Sequence, residues 1–452
     1  MIHKYYLNGH HILMDINSGS VFEIDELTYE VLDYFPDKDK CFDLLGTKYD
    51  EDQLAEVWNE LTYLKNQGIL YSEDIVLDEK IIKNRDVKAM CLHISHDCNM
   101  RCAYCFAAEG SFNGDKLLMS YETGKEAIDF LIENSGERKH LEIDFFGGEP
   151  LMNFSVVKDL VEYARSIEKK YNKEFRFTMT TNALLLNDEN MKYLDENMAN
   201  IVLSLDGRKE TNDKMRKTVT DEGTYDLIID KIKRMVELRG NKDHYVRGTF
   251  TKNNLDFSKD VMDLADRGFK SISVEPVVAS PEMSYALTDE DLDRLINEYE
   301  DLAVRYLDYW RSGKGFDFFH FNIDLHGGPC AYKRVSGCGA GTDYISVTPT
   351  GEIYPCHQFV GIEDFVLGSL KEGIVRTDLR KDFERVNLTD KKACNDCWAK
   401  YYCGGGCFAN AYNFNKDIYQ PYELGCELEK KRVECAVMIK IVQQAEDRDN
   451  QN

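Results

Sequence analysis

Short apolar-rich runs bounded by turn signals mark three short strands at the start of the chain, at 5–7, 11–15 and 21–24. Turns at Asn8-Gly9 and Asn17-Ser18-Gly19 separate them. Apolar positions spaced by three and four then predict helices over 26–35 and 51–66, the second closed by Gly68. Residues 1–80 therefore read as a small α+β domain, and 81–90 as a polar linker. From Leu92 the pattern becomes strand-then-helix. Strands are expected at 92–95, 141–146, 176–180, 201–205, 245–251 and 271–278, with helical patterns such as 155–171, 225–239 and 289–310. Six such units predict an α/β fold with a parallel sheet, curved or closed: a partial (β/α)6 TIM-like barrel over 88–312. Chemistry in such a barrel sits at the C-terminal ends of the strands. After Gly313-Lys314-Gly315 periodicity fades. Glycines and cysteines dominate 327–407, so ligand bonds rather than a hydrophobic core are expected to hold a third domain, 320–430. Residues 431–452 read as a charged helix and a fraying tail.

Charge and composition narrow the function. Lys+Arg 56 against Asp+Glu 81 leaves −25 over 452 residues, which argues against a nucleic-acid partner. No apolar run approaches the roughly 18 residues of a membrane span. The start, Met1-Ile2-His3-Lys4-Tyr5-Tyr6, lacks the layout of a secretory signal. A cytoplasmic protein with no membrane partner is expected.

The 14 cysteines carry the chemistry. Only Cys41 and Cys91 precede Cys98, and none lies between Cys105 and Cys330. Disulfides explain such knots poorly in a large chain without a signal peptide. The first knot is Cys98-Asn99-Met100-Arg101-Cys102-Ala103-Tyr104-Cys105, directly after the first strand of the barrel pattern. Three thiolates without a fourth nearby fit an iron–sulfur cluster with one iron left open, whereas a zinc site normally closes with four ligands. A zinc ribbon or buried structural cysteines remain the plain alternatives.

Here the chain resembles a family. Cx3CxφC, with Tyr104 before the third cysteine, is the signature of radical S-adenosylmethionine (radical SAM) enzymes. The resemblance covers roughly 90–310. It implies that Cys98, Cys102 and Cys105 hold a 4Fe-4S cluster whose open iron binds S-adenosylmethionine. It implies that Gly147, Gly148, Glu149 and Pro150, after the second strand, bind the methionine amino group through their backbone, with the Glu149 side chain near the cofactor. Ser204, with Asp206 close by, is implied at the ribose. Arg247 is implied as the partner of the methionine carboxylate, and Thr180, Thr181 and Asn182 as pocket lining. The implied chemistry is reductive cleavage of S-adenosylmethionine and abstraction of a hydrogen atom from an unactivated carbon.

The C-terminal spacing, Cys338-x12-Gly351-x4-Cys356 and then Cys394-x2-Cys397-x5-Cys403-x3-Cys407 with Cys426 beyond, resembles the seven-cysteine SPASM domain. That resemblance implies two auxiliary 4Fe-4S clusters, three in all. Auxiliary cluster II would use Cys394, Cys397, Cys403 and Cys426. Auxiliary cluster I would use Cys338, Cys356 and Cys407, completed either by Cys330 or by a substrate thiolate. Cys41, Cys91 and Cys435 match no motif and read as packing residues.

The first domain resembles the PqqD-like, winged-helix-like recognition element of peptide maturases, in which a leader peptide adds a strand to the small sheet. Val21, Phe22, Glu23 and Ile24 are the expected edge strand. A structural cap is the alternative. Relatives that oxidise sulfatases carry an aspartate where this chain has His357, which is a weak candidate catalytic residue. The whole most resembles SCIFF-peptide maturases of the CteB type. The implied reaction joins a peptide cysteine sulfur to a carbon of another residue, threonine being the expected one, in a cysteine-rich precursor peptide, with a reductant such as flavodoxin or ferredoxin. Carbon–carbon crosslinking or side-chain dehydrogenation on the same scaffold stays open, as does an iron–sulfur electron carrier or redox sensor.

Overall fold

The computed structural model describes residues 1–75, 86–325, 335, 337–386, 388 and 390–451. Strands β1 (Ile2–Leu7), β2 (His10–Asp15) and β3 (Val21–Ile24) form an antiparallel sheet in that order. The pleat sends β2 into two cores. Ile12 and Met14 join Tyr5, Leu7 and Ile16 in the core of the main body. Leu13 joins a second core with Val31, Leu54, Trp58 and Leu61 from the small unit's own helices. Helix Glu51–Asn66 starts on a capping box of Asp50 and Gln53 and buries Leu54, Val57, Trp58 and Leu61 as one stripe. The helix predicted over 26–35 stops at Val31. Helix Lys38–Leu45 was not foreseen, because it buries only Cys41 and Leu45, too few for a visible period.

Chain order continues with β4 (Ala89–Ser95), β5 (Met100–Cys102), β6 (His140–Gly147), β7 (Glu174–Thr181), β8 (Asn200–Ser204), β9 (Arg216–Thr218), β10 (His244–Phe250) and β11 (Ser271–Pro276). β4, β6, β7, β8, β10 and β11 run parallel, each beside its predecessor. β12 (Asp317–Phe318) extends the β11 side. β13 (Tyr344–Val347) pairs in parallel with β4, and β14 (Glu352–Tyr354), β15 (Gly368–Ser369) and β16 (Gly373–Ile374) follow antiparallel. The cysteine-rich region thus continues the same 11-stranded sheet.

Register decides what shares a face. His93 stands opposite Phe146, and Ser204 opposite Arg247. Period-two alternation places Thr180 and Glu275 with them. This is the face of the candidate site. The other face buries Leu141, Ile143, Phe145, Leu203, Val246 and Phe250 completely. Each such side chain contributes about 1.5–3 kcal/mol.

Two expectations for the C-terminal region are corrected. It does have a hydrophobic core: the rings of Phe359, Phe365, Phe383, Phe408 and Tyr412 pack within 4.2–6.2 Å of one another. The last helix begins before 431. It spans Glu423–Gln451, carries Cys426, buries Val433 and residues 435–439, and stays helical through 447–450, where fraying was expected. Among the described residues no helix is long and apolar enough to cross a membrane.

Candidate functional site

The first thiols sit where β4 ends. β5 pairs antiparallel with β9, so Cys102 stands opposite Arg216. The Arg101 guanidinium donates to the carbonyls of Cys98 and Met100, both at 2.7 Å, and braces the loop. Two N–H groups point at the Cys98 sulfur, from the Met100 backbone at 3.4 Å and the Asn182 amide at 3.6 Å. Cys98, Cys102 and Cys105 are close enough that the latter two raise the first's pKa. Burial is the larger cause, pushing Cys98 up to about 12 and Cys102 to about 11.

The loop after β6 is stitched to this one. Gly148 N donates to Ser95 O at 2.7 Å and Glu149 N to Asp97 O at 3.0 Å. A Cβ on Gly147 (φ +124°) would stand 2.2 Å from Ser95 O, and one on Gly148 the same distance from Asp97 O. Only glycine allows that approach. The Glu149 carboxylate does not face outward. It is buried and accepts from Thr181 Oγ1 (2.8 Å), Asn182 N (2.8 Å) and Leu151 N (3.1 Å). It fixes the turn after β7 through these three bonds.

Beneath the thiols lies a buried triad that sequence reasoning found only in part. The Tyr104 hydroxyl reaches both Asp206 oxygens, at 2.7 and 2.9 Å. Arg216 Nη1 donates to the Tyr104 oxygen at 2.9 Å and stands 4.0 Å from Asp206. Thr249 N also donates to Asp206. Burial raises the Asp206 pKa, and the Arg216 charge opposes it. The Arg216 side chain is 9% exposed, and its Nε finds no hydrogen-bond partner among the described residues. No sequence signal singled it out, because Lys209, Lys214 and Lys217 surround it in a polar run. Arg247 behaves differently. It pairs with Glu275, which also faces His320 and Arg432, and its charge acts on His357. It also stands opposite Ser204 across the β8–β10 pair.

That second group is Cys338, Cys356 and Cys407, whose thiols act on one another's ionisation. Cys356 is buried, whereas Cys338 and Cys407 are exposed. Cys407 caps helix Phe408–Asn415, where the N–H groups of Ala409 and Asn410 favour its thiolate. Cys330 lies outside the described residues. The third group is Cys394, Cys397, Cys403 and Cys426, likewise mutually coupled. Gly405 and Gly406 donate N–H groups to Cys403. Lys391 is 2% exposed. Burial pushes its pKa down, while Cys394, Cys403, Cys426 and Cys407 push it up. Cys41, Cys91 and Cys435 are fully buried.

The donor sets fit iron–sulfur clusters. Every described cysteine is a free thiol. Among the described residues no three His, Cys, Asp or Glu side chains converge tightly enough for a single metal ion. A zinc ion would draw its sulfurs to roughly 3.8 Å from one another, from Zn–S bonds of about 2.3 Å. Thiols that act on one another's ionisation and meet backbone N–H donors suit an anionic group.

His357, next to Cys356, bridges two of the groups. Its Nδ1 lies 3.1 Å from the Tyr344 hydroxyl. Its ring is 4.9 Å from Phe146, which precedes Gly147, and 5.6 Å from Phe106, which follows Cys105. Burial, then the Arg247 charge, hold its pKa down at about 4, so it is neutral near pH 7. His93 and His96 extend this patch, with His93 Nδ1 hydrogen-bonded to His96 Nε2 at 3.0 Å. The predicted edge strand β3 pairs only with β2 among the described residues.

Comparison with known proteins agrees with this layout. Residues 92–263 match the model of the radical SAM superfamily, and residues 338–398 that of the SPASM iron–sulfur cluster-binding domain. The radical SAM cyclopropyl synthase TigE of Paramaledivibacter caminithermalis is 22% identical over 446 residues, 91% of this chain and 89% of that protein. The structure of anSMEcpe with bound AdoMet and Cp18Cys peptide matches with a TM-score of 0.64 at 20% identity, over 79% of this chain and 99% of that one. Streptococcus suis SuiB bound to precursor peptide SuiA matches with a TM-score of 0.53 at 16% identity, over 94% of this chain and 98% of that one. The chain carries a radical SAM domain and a SPASM domain and is homologous to radical SAM enzymes, which supports an enzyme that uses S-adenosylmethionine.

Proposed function

We propose that the chain is a peptide maturase of the SCIFF type. It would form an intramolecular thioether between a cysteine sulfur and a carbon, threonine's being the expected one, in a ribosomally made cysteine-rich precursor. Cys98, Cys102 and Cys105 would hold the first 4Fe-4S cluster. The turn at Gly147–Pro150, Thr180, Asn182 and Ser204 would hold S-adenosylmethionine, with Arg216 in place of Arg247 taking the methionine carboxylate. Cys338, Cys356 and Cys407 would hold auxiliary cluster I, and Cys394, Cys397, Cys403 and Cys426 auxiliary cluster II. When bound, these groups supply one-electron chemistry and removal of a hydrogen atom from an unactivated carbon.

One observation carries the reading: the contacts of His357 with Phe106 and Phe146 open the first thiol loop and the Cys356 group onto a single face. A peptide seated there meets both. Glu149 and the Tyr104–Asp206 pair work by orientation, keeping the turn after β7 and the floor beneath the thiols fixed. Arg247 and Glu275 would line the peptide's side of the face. SuiB was solved with a bound precursor peptide; in this chain β3, which pairs only with β2 among the described residues, would be where a leader adds a strand. A ferredoxin or flavodoxin would serve as reductant.

The test is anaerobic reconstitution with a short cysteine-rich peptide encoded beside the gene, read by mass spectrometry. The expected product has lost two hydrogens and has one thiol closed to alkylation, on a chain holding about twelve irons, four per cluster. Two hydrogens lost with every thiol still free would refute thioether formation. That outcome would favour a second reading, carbon–carbon bond formation, which the likeness to a cyclopropyl synthase over 91% of the chain supports.

A further inference from the structure

Lys391 is among the largest fully buried side chains in the protein. Such a lysine normally has a carboxylate partner. Among the described residues no Asp or Glu forms an ion pair with it. Its Nζ donates to Gly405 O at 2.7 Å and lies 4.8 Å above the Phe408 ring. Its own carbonyl accepts from Cys394 N at 2.8 Å, which ties its position to the third thiol group. The negative groups acting on it are sulfurs of both thiol groups, Cys394, Cys403 and Cys426 together with Cys407. Phe408 directly follows Cys407, and Gly405 stands between Cys403 and Cys407. The ammonium is therefore held beside the Cys403–Cys407 turn, while its own backbone is tied to Cys394.

We infer that Lys391 is a buried positive charge shared by the two auxiliary clusters, and that it raises the potential at which each takes up an electron. The inference rests on the cluster reading above. A cluster with thiolate ligands is anionic and gains one more negative charge on reduction. A cation nearby in a low-dielectric interior favours the reduced state more than the oxidised one. Joining a peptide thiolate to a carbon radical gives a thioether and releases one electron. A raised potential at the Cys407 group helps that electron enter, and the same charge acting on the Cys394 group keeps the next transfer level. The electron then leaves to a one-electron carrier of the ferredoxin or flavodoxin class. Lys391 acts through the clusters and is a positioning charge, not a catalytic residue.

The experiment is an EPR-monitored redox titration of the full chain carrying Cys98→Ala, Cys102→Ala and Cys105→Ala, so that only the C-terminal clusters give signals. Lys391→Met and Lys391→Arg are compared on that background, with iron counted in each sample. For Lys391→Met the reduced-to-oxidised ratio at a fixed potential is expected to fall at least tenfold, a shift of about 59 mV for one electron. Lys391→Arg should stay near the parent. Loss of iron in Lys391→Met with retention in Lys391→Arg also supports a charge requirement. Unshifted potentials in Lys391→Met at full iron overturn the inference alone. Equal loss of iron in both variants overturns it too, because packing would then be the requirement. A parent chain without about eight irons, four per cluster, overturns the cluster reading and this inference together.

Discussion

The imidazole of His357 and the ring of Phe106 lie 5.6 Å apart, although 251 positions separate them in sequence (357 less 106). Each directly follows a cysteine, Cys356 and Cys105. The contact thus measures how the second thiol group sits against the first. Replacing His357 by Phe keeps the packing and removes the polar edge that meets Tyr344. Peptide crosslinking is expected to fall by more than tenfold, about 1.4 kcal/mol in the barrier. Cleavage of S-adenosylmethionine without peptide should continue. Measuring both products in one assay checks this, and a parallel loss of both would mean that His357 serves the first site.

Arg216 and Arg247 are predicted to separate. Arg216 is buried against Tyr104 and Cys102. Arg216→Lys keeps a charge but loses the fork geometry that suits a carboxylate. S-adenosylmethionine affinity should drop about 10- to 100-fold, in line with roughly 1.5–3 kcal/mol for a charge-assisted bond. Arg247→Gln should leave that affinity within about twofold and weaken peptide turnover instead. Calorimetric titration with S-adenosylmethionine on both variants decides it.

How far these residues could be read in advance depends on what fixes them. Cys98, Cys102 and Cys105 lie within eight positions (98 to 105), so spacing alone announces them. The parallel strands were legible because Leu141, Ile143 and Phe145 alternate with polar neighbours. Arg216 was not, because its partners Tyr104 and Asp206 come from other strands' ends and only the β5–β9 pairing joins them. The strands β13 to β16 were hidden for a different reason. They are two to four residues long and interrupted by glycine, too short to show a period. Glu149 was recognised as part of a motif, but its inward anchoring depends on the backbone of Asn182, which carries no side-chain signature.

Gly148→Ala should uncouple the first cluster from the others. The added Cβ meets backbone, Asp97 O at 2.2 Å and the Asp97 carbonyl carbon at 2.6 Å, so no flexible side chain can give way. The loop holding Cys98 must shift. Iron per chain is expected to fall by about four, the content of one cluster, with the C-terminal clusters retained. Iron analysis together with the EPR signal assigned to each cluster checks this.

Acid sensitivity should begin well above the carboxylate range. Burial pushes His96 down to about 4, and burial with the Arg432 charge pushes His320 down to about 3. A histidine whose folded pKa lies below its ordinary value of about 6.5 favours the fold while neutral. Its contribution is complete above pH 6.5 and is lost as pH falls toward 4 and then 3. The Tm of the metal-free chain is therefore expected to decline from about pH 6.5 downward. In His320→Gln the decline should be shallower all the way from about pH 6.5 to about pH 3. A plateau down to pH 4.5 in the parent would contradict the prediction.

The two edges of the N-terminal sheet are not equivalent, and this decides where a leader can add. β1 faces the last helix. Tyr5 donates to Glu434 O at 2.9 Å, His3 Nε2 meets the Glu434 carboxylate at the same distance, and the His3 ring stacks on Trp398 at 3.8 Å. A strand cannot enter there without breaking these contacts. Among the described residues β3 has no such cover: Glu23 is exposed, and Val21, Phe22 and Ile24 are only partly buried. An uncovered edge offers unpaired backbone groups in strand register. Hydrogen exchange with and without the isolated leader peptide should show new protection at residues 21–24 and none at 2–7. The same leader added in trans should inhibit processing of full-length precursor. Protection at 2–7 would place the leader on the other edge and require the His3–Trp398 stack to open, which the fluorescence of Trp398 would report.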